Sequence, residues 1–191
     1  MDVIAESKIK SSLRELYPFS EEQLGQFTKR MSLAHLQKKK PLLEPGRVCS
    51  HLTFLARGSL RHYTLGGNAE LTINFFTEGQ WVTDIDSFLA QEPSKNYIKA
   101  LEDSEVASIS LQDIHEMMDN YPSFRMLNGL IAKMVIPVTH LASISRESPD
   151  VRYRELLSKH PDWITRFPQM HIASYLGMTS ETLSRVRARI S

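Results

Sequence analysis

The stretch from Pro168 to Ile190, PQMHIASYLGMTSETLSRVRARI, constrains the fold of this 191-residue chain more than any other. It sets two short amphipathic runs on either side of a glycine. Two helices that cross steeply within so few residues need a small side chain at the crossing, a residue that turns the backbone, and aliphatics on both sides to fix the angle. Ala173 supplies the first, Gly177 the second, and Ile172, Leu176, Leu183 and Val186 the third. Pro168 stands where a helix starts well, because the N–H it lacks is one the first turn leaves unpaired anyway, and the Thr179 hydroxyl caps the next helix. The spacing predicts a helix-turn-helix.

Facing away from those aliphatics, the second helix presents Ser180, Glu181, Ser184, Arg185 and Arg189. In a DNA major groove Arg185 can place two hydrogen bonds on guanine O6 and N7, and Glu181 can accept from a cytosine amino group. Arg189 lies a turn further along, nearer the backbone. Glu181 and Arg185 are also four residues apart on one helix, so an ordinary surface ion pair is the alternative. Charge favours a polyanion: from Val151 onward seven Lys or Arg stand against three Asp or Glu, while the whole chain carries only +1.

Upstream, Ile9, Leu13 and Leu16 mark a helix stopped by Pro18, and Ser20 with Gln23 forms a capping box before Leu24, Phe27 and Met31. Between about Lys38 and Ile109 short β-prone runs alternate with turn pairs such as Pro45-Gly46, Arg57-Gly58 and Glu78-Gly79. The hairpin from Ser59 to Thr64 and Glu70 to Phe76 is the clearest, and a roll of about eight strands fits. Helices follow from Leu111 to Asp119 and from Pro122 onward. In the latter Phe124, Leu127, Ile131, Met134, Val138 and Leu141 form a heptad seam. Leu130, Val135 and Ile144 lie off it and are expected to pack on the roll, leaving the seam for a second chain; the alternative is that the helix packs on its own roll. Pro137 should kink it. Arg146 to Asp150 reads as a linker.

Size and composition exclude several classes. With 41% hydrophobic and 24% charged residues the chain is globular, and its apolar stretches, such as Met134–Val138, are too short to span a bilayer. The start, MDVIAESK, lacks the layout of a secretory signal, so a cytoplasmic protein with no membrane partner is expected. A single cysteine, Cys49, rules out a disulfide or an all-cysteine metal site within one chain. His51 and His62 are isolated, which excludes a cupin-type metal enzyme, and no nucleophile has a positioned base. No catalytic residue, metal site or cofactor is expected. Haem ligation by one of the lone histidines has no positive support. Cys49 is expected to be a small buried residue rather than a redox switch, and Trp81 to cap the roll rather than to stack on a ligand.

The segments LLEPGRVCSHLTFLARGSLRHY and ALEDSEV, the long helix, and above all IASYLGMTSETLSRVR resemble the Crp/Fnr family of bacterial transcription regulators across nearly the whole chain. The resemblance implies an α+β protein: an N-terminal cyclic-nucleotide-binding-like β jelly roll with flanking helices (residues 1–121), a dimerisation helix (122–147) and a C-terminal helix-turn-helix (148–191). It implies that Ser180, Glu181 and Arg185 read bases, and that Gln169 and Thr179 touch phosphate, with Thr182, Arg187 and Arg189 as further phosphate contacts. Two departures stand out. The family's ribose-binding Gly-Glu pair aligns with Thr83-Asp84, and its Arg-x-Ala phosphate segment with Ser94-Lys95-Asn96, so the phosphate arginine is missing. These five residues form the candidate effector pocket, and cyclic AMP is not expected in it. The second departure is that the sequence stops at Ser191, directly after the recognition helix, so a short form without the usual β-wing is expected.

Together these readings predict a homodimeric regulator of double-stranded, near-palindromic DNA, with RNA polymerase as a further candidate partner and an unidentified effector. The rival is a dimeric ligand-binding or scaffold protein whose C-terminal helices dock protein instead of DNA.

Overall fold

The computed structural model describes residues 3–67, 69–134 and 147–190, which group into two compact units, 1–62 with 75–135 and 63–74 with 136–191. In the first unit, helices α1 (Val3–Arg14) and α2 (Glu21–Lys29) are joined through Pro18. The capping box at α2 is closed in both directions: the Gln23 N–H donates to the Ser20 hydroxyl at 3.2 Å, and the Ser20 N–H donates to the Gln23 side-chain oxygen at 2.9 Å. Each helix buries one stripe, Ala5, Ile9 and Leu13 on α1 and Leu24 and Phe27 on α2.

The strands that follow are β1 (Ser32–Leu36), β2 (Pro41–Leu43), β3 (His51–Arg57), β4 (Leu60–Gly66), β5 (Ala69–Phe76) and β6 (Trp81–Val82). After helix α3 (Ile85–Ala90) come β7 (Asn96–Ala100) and β8 (Ser104–Ser110). They form two four-stranded sheets, ordered β1-β8-β3-β6 and β2-β7-β4-β5, and thus a roll of eight strands among the described residues. β3 lies between β8 and β6 and is buried from Leu52 to Ala56, so both its faces are apolar or paired. On one face Phe54 meets Trp81 at 5.1 Å, and the Trp81 indole N–H donates to Ser12 on α1 at 3.0 Å, which lays the N-terminal helices against the roll. Trp81 therefore packs in the core. At the turn into β4, Gly58 has φ +97°, and a Cβ there would lie 2.7 Å from the Ser104 Cα, so only glycine fits.

Helix α4 (Leu111–Asn120) is capped by Ser110, whose hydroxyl accepts the Asp113 N–H at 3.0 Å. A 3-10 turn (Pro122–Met126) and α5 (Leu127–Lys133) follow. Here the packing differs from the sequence-based expectation. Phe124, Leu127 and Ile131, expected on an open seam, are buried in the unit's own core, with Leu130 and Met134 half-buried against it. The reason is an aromatic cluster: Phe124 stacks on Phe19 at 4.7 Å and on Phe27 at 5.7 Å. Val138, Leu141 and Pro137 lie outside the described residues.

The second unit contains helices α6 (Pro149–Lys159), α7 (Trp163–Arg166), α8 (Gln169–Tyr175) and α9 (Ser180–Ile190). The expected linker up to Asp150 ends earlier: Ser148 is extended and caps α6, and Pro149 starts the helix instead of preceding it. Trp163 centres the core between Phe167 at 5.9 Å, Tyr175 at 5.3 Å and His160 at 4.0 Å. The hairpin tip 63–74 belongs to this unit. The Ser174 hydroxyl on α8 accepts the Thr72 N–H at 2.9 Å and donates to the Glu70 carbonyl at 2.7 Å.

Candidate functional site

Helices α8 and α9 are joined by a tight turn at residues 176–179. Gly177 has φ +61°, in the left-handed region that disfavours a side chain, and its carbonyl accepts from Arg152 Nη1 on α6 at 3.1 Å. A second bond from the same nitrogen reaches the Leu176 carbonyl, so one guanidinium pins the turn. Behind it, Ile172, Ala173, Leu176, Leu183 and Val186 are all at most 3% exposed. The five residues that should fix the crossing are the ones buried at it.

The opposite side of α9 is open. Glu181, Ser184, Arg185 and Arg189 are exposed, and Ser180, Thr182 and Arg187 are half-buried. Thr179 caps the helix: its hydroxyl accepts the Thr182 N–H at 3.2 Å and lies 3.1 Å from the Thr182 hydroxyl. The Glu181 carboxyl is held below its ordinary pKa by its own backbone N–H and the Thr179 hydroxyl, with Arg185 nearby. Arg185 makes no hydrogen bond or ion pair among the described residues. That tells against a formed surface ion pair with Glu181. Gln169 is exposed at the start of α8, with its side-chain amide donating to the Ser180 carbonyl at 3.2 Å, which draws the two helix starts together. Arg189 is occupied: Nη2 lies 2.7 Å from Asp150 on α6.

In the first unit, three of the five candidate effector residues meet. Asp84 is 2% exposed at the head of α3, and its Oδ2 accepts from the Ser94 hydroxyl and from Asn96 Nδ2, the latter at 3.2 Å. Ser94 thus closes on the carboxylate. Thr83 and Lys95 do not join them. Thr83 turns the other way, its hydroxyl 3.2 Å from Cys49 Sγ, because successive residues of an extended segment alternate sides, and Lys95 is exposed. Cys49, Thr83, Thr53, Val82, Ile98 and Ser108 border a half-open pocket of about 200 Å³ on the roll. Burial pushes the Cys49 thiol up, away from the thiolate a redox switch needs.

One residue absent from the expected pocket faces it. His62 on β4 is 5% exposed, with Nε2 at 4.0 Å from Asp84 Oδ1 and its ring 6.5 Å from that of Phe76. Neither ring nitrogen has a hydrogen-bond partner among the described residues. Burial pushes its pKa down, against the opposing pull of Asp84 and Asp86. Strand alternation could not single it out, because Arg61 and Tyr63 on the other face of β4 are buried as well.

Residues 33–121 match the cyclic nucleotide-binding domain family. No curated protein matches the chain by sequence. Among solved structures, the chain is similar in fold to the catabolite activator protein of Thermus thermophilus (20% identity, 92% of this chain and 85% of that one, TM-score 0.58). It is likewise similar to CooA from Carboxydothermus hydrogenoformans (15%, 94% and 82%, TM-score 0.67). A third is the c-di-GMP-responsive global regulator CLP of Xanthomonas campestris (17%, 90% and 91%, TM-score 0.68).

Proposed function

With a cyclic nucleotide-binding domain over residues 33–121 and a CRP-like fold around it as its premise, we propose that the chain is a sequence-specific DNA-binding transcription regulator, a homodimer whose roll senses an effector other than cyclic AMP. The observation that carries the DNA-binding part is the two-sidedness of α9. Leu183 and Val186 lock one side against α8, while Glu181 and Arg185 stand exposed on the other and Arg185 makes no hydrogen bond or ion pair among the described residues. An unpaired guanidinium one turn past a helix N-terminus, on a rigidly held helix, is suited to a guanine edge. The likeness to a catabolite activator protein and to a global regulator supports the same reading. The effector part rests on Ser94: the cyclic phosphate would find a hydroxyl bonded to Asp84 in place of an arginine fork.

Selection from random duplex DNA, followed by titrations at several salt concentrations, tests this. The expected outcome is a near-palindromic site whose half-sites lie about one helical turn apart. Arg185→Ala should cost about 1 to 3 kcal/mol on that site and much less on random DNA. If no site is enriched, or if Arg185→Ala leaves binding to it unchanged, the helices have another partner and the protein-docking reading replaces this one.

A further inference from the structure

We propose that the gap between His62 and Asp84 is the seat of an ammonium group, so that the roll's effector is a small organic cation. The inference names the ligand class of the sensory roll and rests on the reading of the roll as a sensor, not on that of α9.

Two unfinished groups face each other there. Asp84 Oδ2 is saturated by Ser94 and Asn96, whereas among the described residues the only partner near Oδ1 is His62 Nε2 at 4.0 Å, beyond hydrogen-bond range. The His62 ring is 5% exposed, yet both its nitrogens are unpartnered. Buried polar atoms nearly always have a partner, and two orphans on one ring beside a buried carboxylate mark the place of a missing group. A single atom at about 2.8 Å from each can sit between an oxygen and a nitrogen so spaced, and can bond both.

Charge selects what that atom is. Asp84 is 2% exposed, and no Lys or Arg among the described residues pairs with it. Asp86 adds a second carboxylate to the field on the ring, and burial disfavours the charged form of His62. A buried carboxylate with neutral donors alone is an unpaired charge, which is costly in a low-dielectric interior. An anion would add to the negative field, and a hydroxyl would complete the hydrogen bonds without balancing the charge. An ammonium does both, donating to Asp84 Oδ1 and to the unprotonated nitrogen of His62. Of the four residues Asn96 alone is more than 5% exposed.

The test uses the whole 191-residue chain and four probes: propylamine, propanol and propionate, which differ only in the head group, and cyclic AMP. Thermal denaturation and calorimetry should show stabilisation by propylamine alone. Asp84→Asn should weaken amine binding about 10- to 100-fold, the worth of one charge-assisted bond. Should that variant fold poorly, Ser94→Arg keeps the measurement decisive. Its guanidinium fills the seat, so the unliganded melting temperature should hold or rise while the amine response disappears. The proposal is overturned if propanol, propionate or cyclic AMP stabilises as much as the amine, if no probe stabilises, or if the amine response survives Ser94→Arg. None of these outcomes bears on DNA selection, so the two readings fail separately.

Discussion

At the scale of single residues, the contrast between Arg185 and Arg189 decides how the candidate DNA-facing helix divides its work. Both are exposed, but Arg189 is tied to Asp150 at 2.7 Å and Arg185 to nothing among the described residues. The Arg189 pair is open to water, with side-chain exposures of 62% and 40%, so it is worth only about 0.2 to 1 kcal/mol. A phosphate would have to compete with that carboxylate. Asp150→Ala should therefore tighten binding about 1.5- to 5-fold on every sequence alike and leave the preference among sequences unchanged. Anisotropy titrations on selected and random duplexes would reveal it; a change in preference would place Arg189 on a base edge.

Among elements, α2 and α4 are joined by a charge cluster instead of apolar contact at their exposed ends. Arg30, just past α2, donates from Nη1 to Asp113 at 3.2 Å and to Glu116 at 2.8 Å. For Glu116 the largest influence is the bond from Arg30; for Asp113 it is the Ser110 hydroxyl, with Arg30 adding to it, and both carboxyls are held below their ordinary values. A carboxyl whose folded pKa is depressed contributes stability above its unfolded pKa and loses it as pH falls through the folded one. Arg30→Ala should thus lower the melting temperature at neutral pH, and the difference should shrink as pH falls below about 4. Melting curves at stepped pH would check it, and a gap that persists in acid would show that the arginine acts by packing. The elements legible in the sequence were those with local signals. The Ser20–Gln23 box, the hairpin flanking Gly67 and the five-residue lock around Gly177 all lie within a few residues of their own consequences. The seam was misread because heptad spacing gives the stripe but not its partner, and Phe124 finds Phe19 and Phe27 about a hundred residues earlier. His62 was passed over for the same reason, its carboxylate lying 22 residues away behind α3's start.

For the whole molecule, the burial of Phe124, Leu127 and Ile131 within one chain moves any two-fold contact further along the seam. Besides the half-buried Met134, Val138 and Leu141 are the positions left for it. Changing both to Glu would set like charges against each other across the axis and should give monomers by sedimentation equilibrium, with the melting of the first unit unchanged; a dimer that survives would place the contact elsewhere. The hairpin has a consequence for exchange of parts. The chain enters the second unit after His62, returns to the first after Asn74, and leaves it again after residue 135. A chimera grafting residues 147–190 onto a foreign receptor would carry Ser174 without the Thr72 and Glu70 backbone it holds, two bonds worth about 1 to 3 kcal/mol together. Such a graft should melt below one that brings its own β4–β5 tip. In a lineage that traded its C-terminal helices for others, the recombination point could not lie in the connection alone, because part of what those helices rest on is encoded a hundred residues upstream.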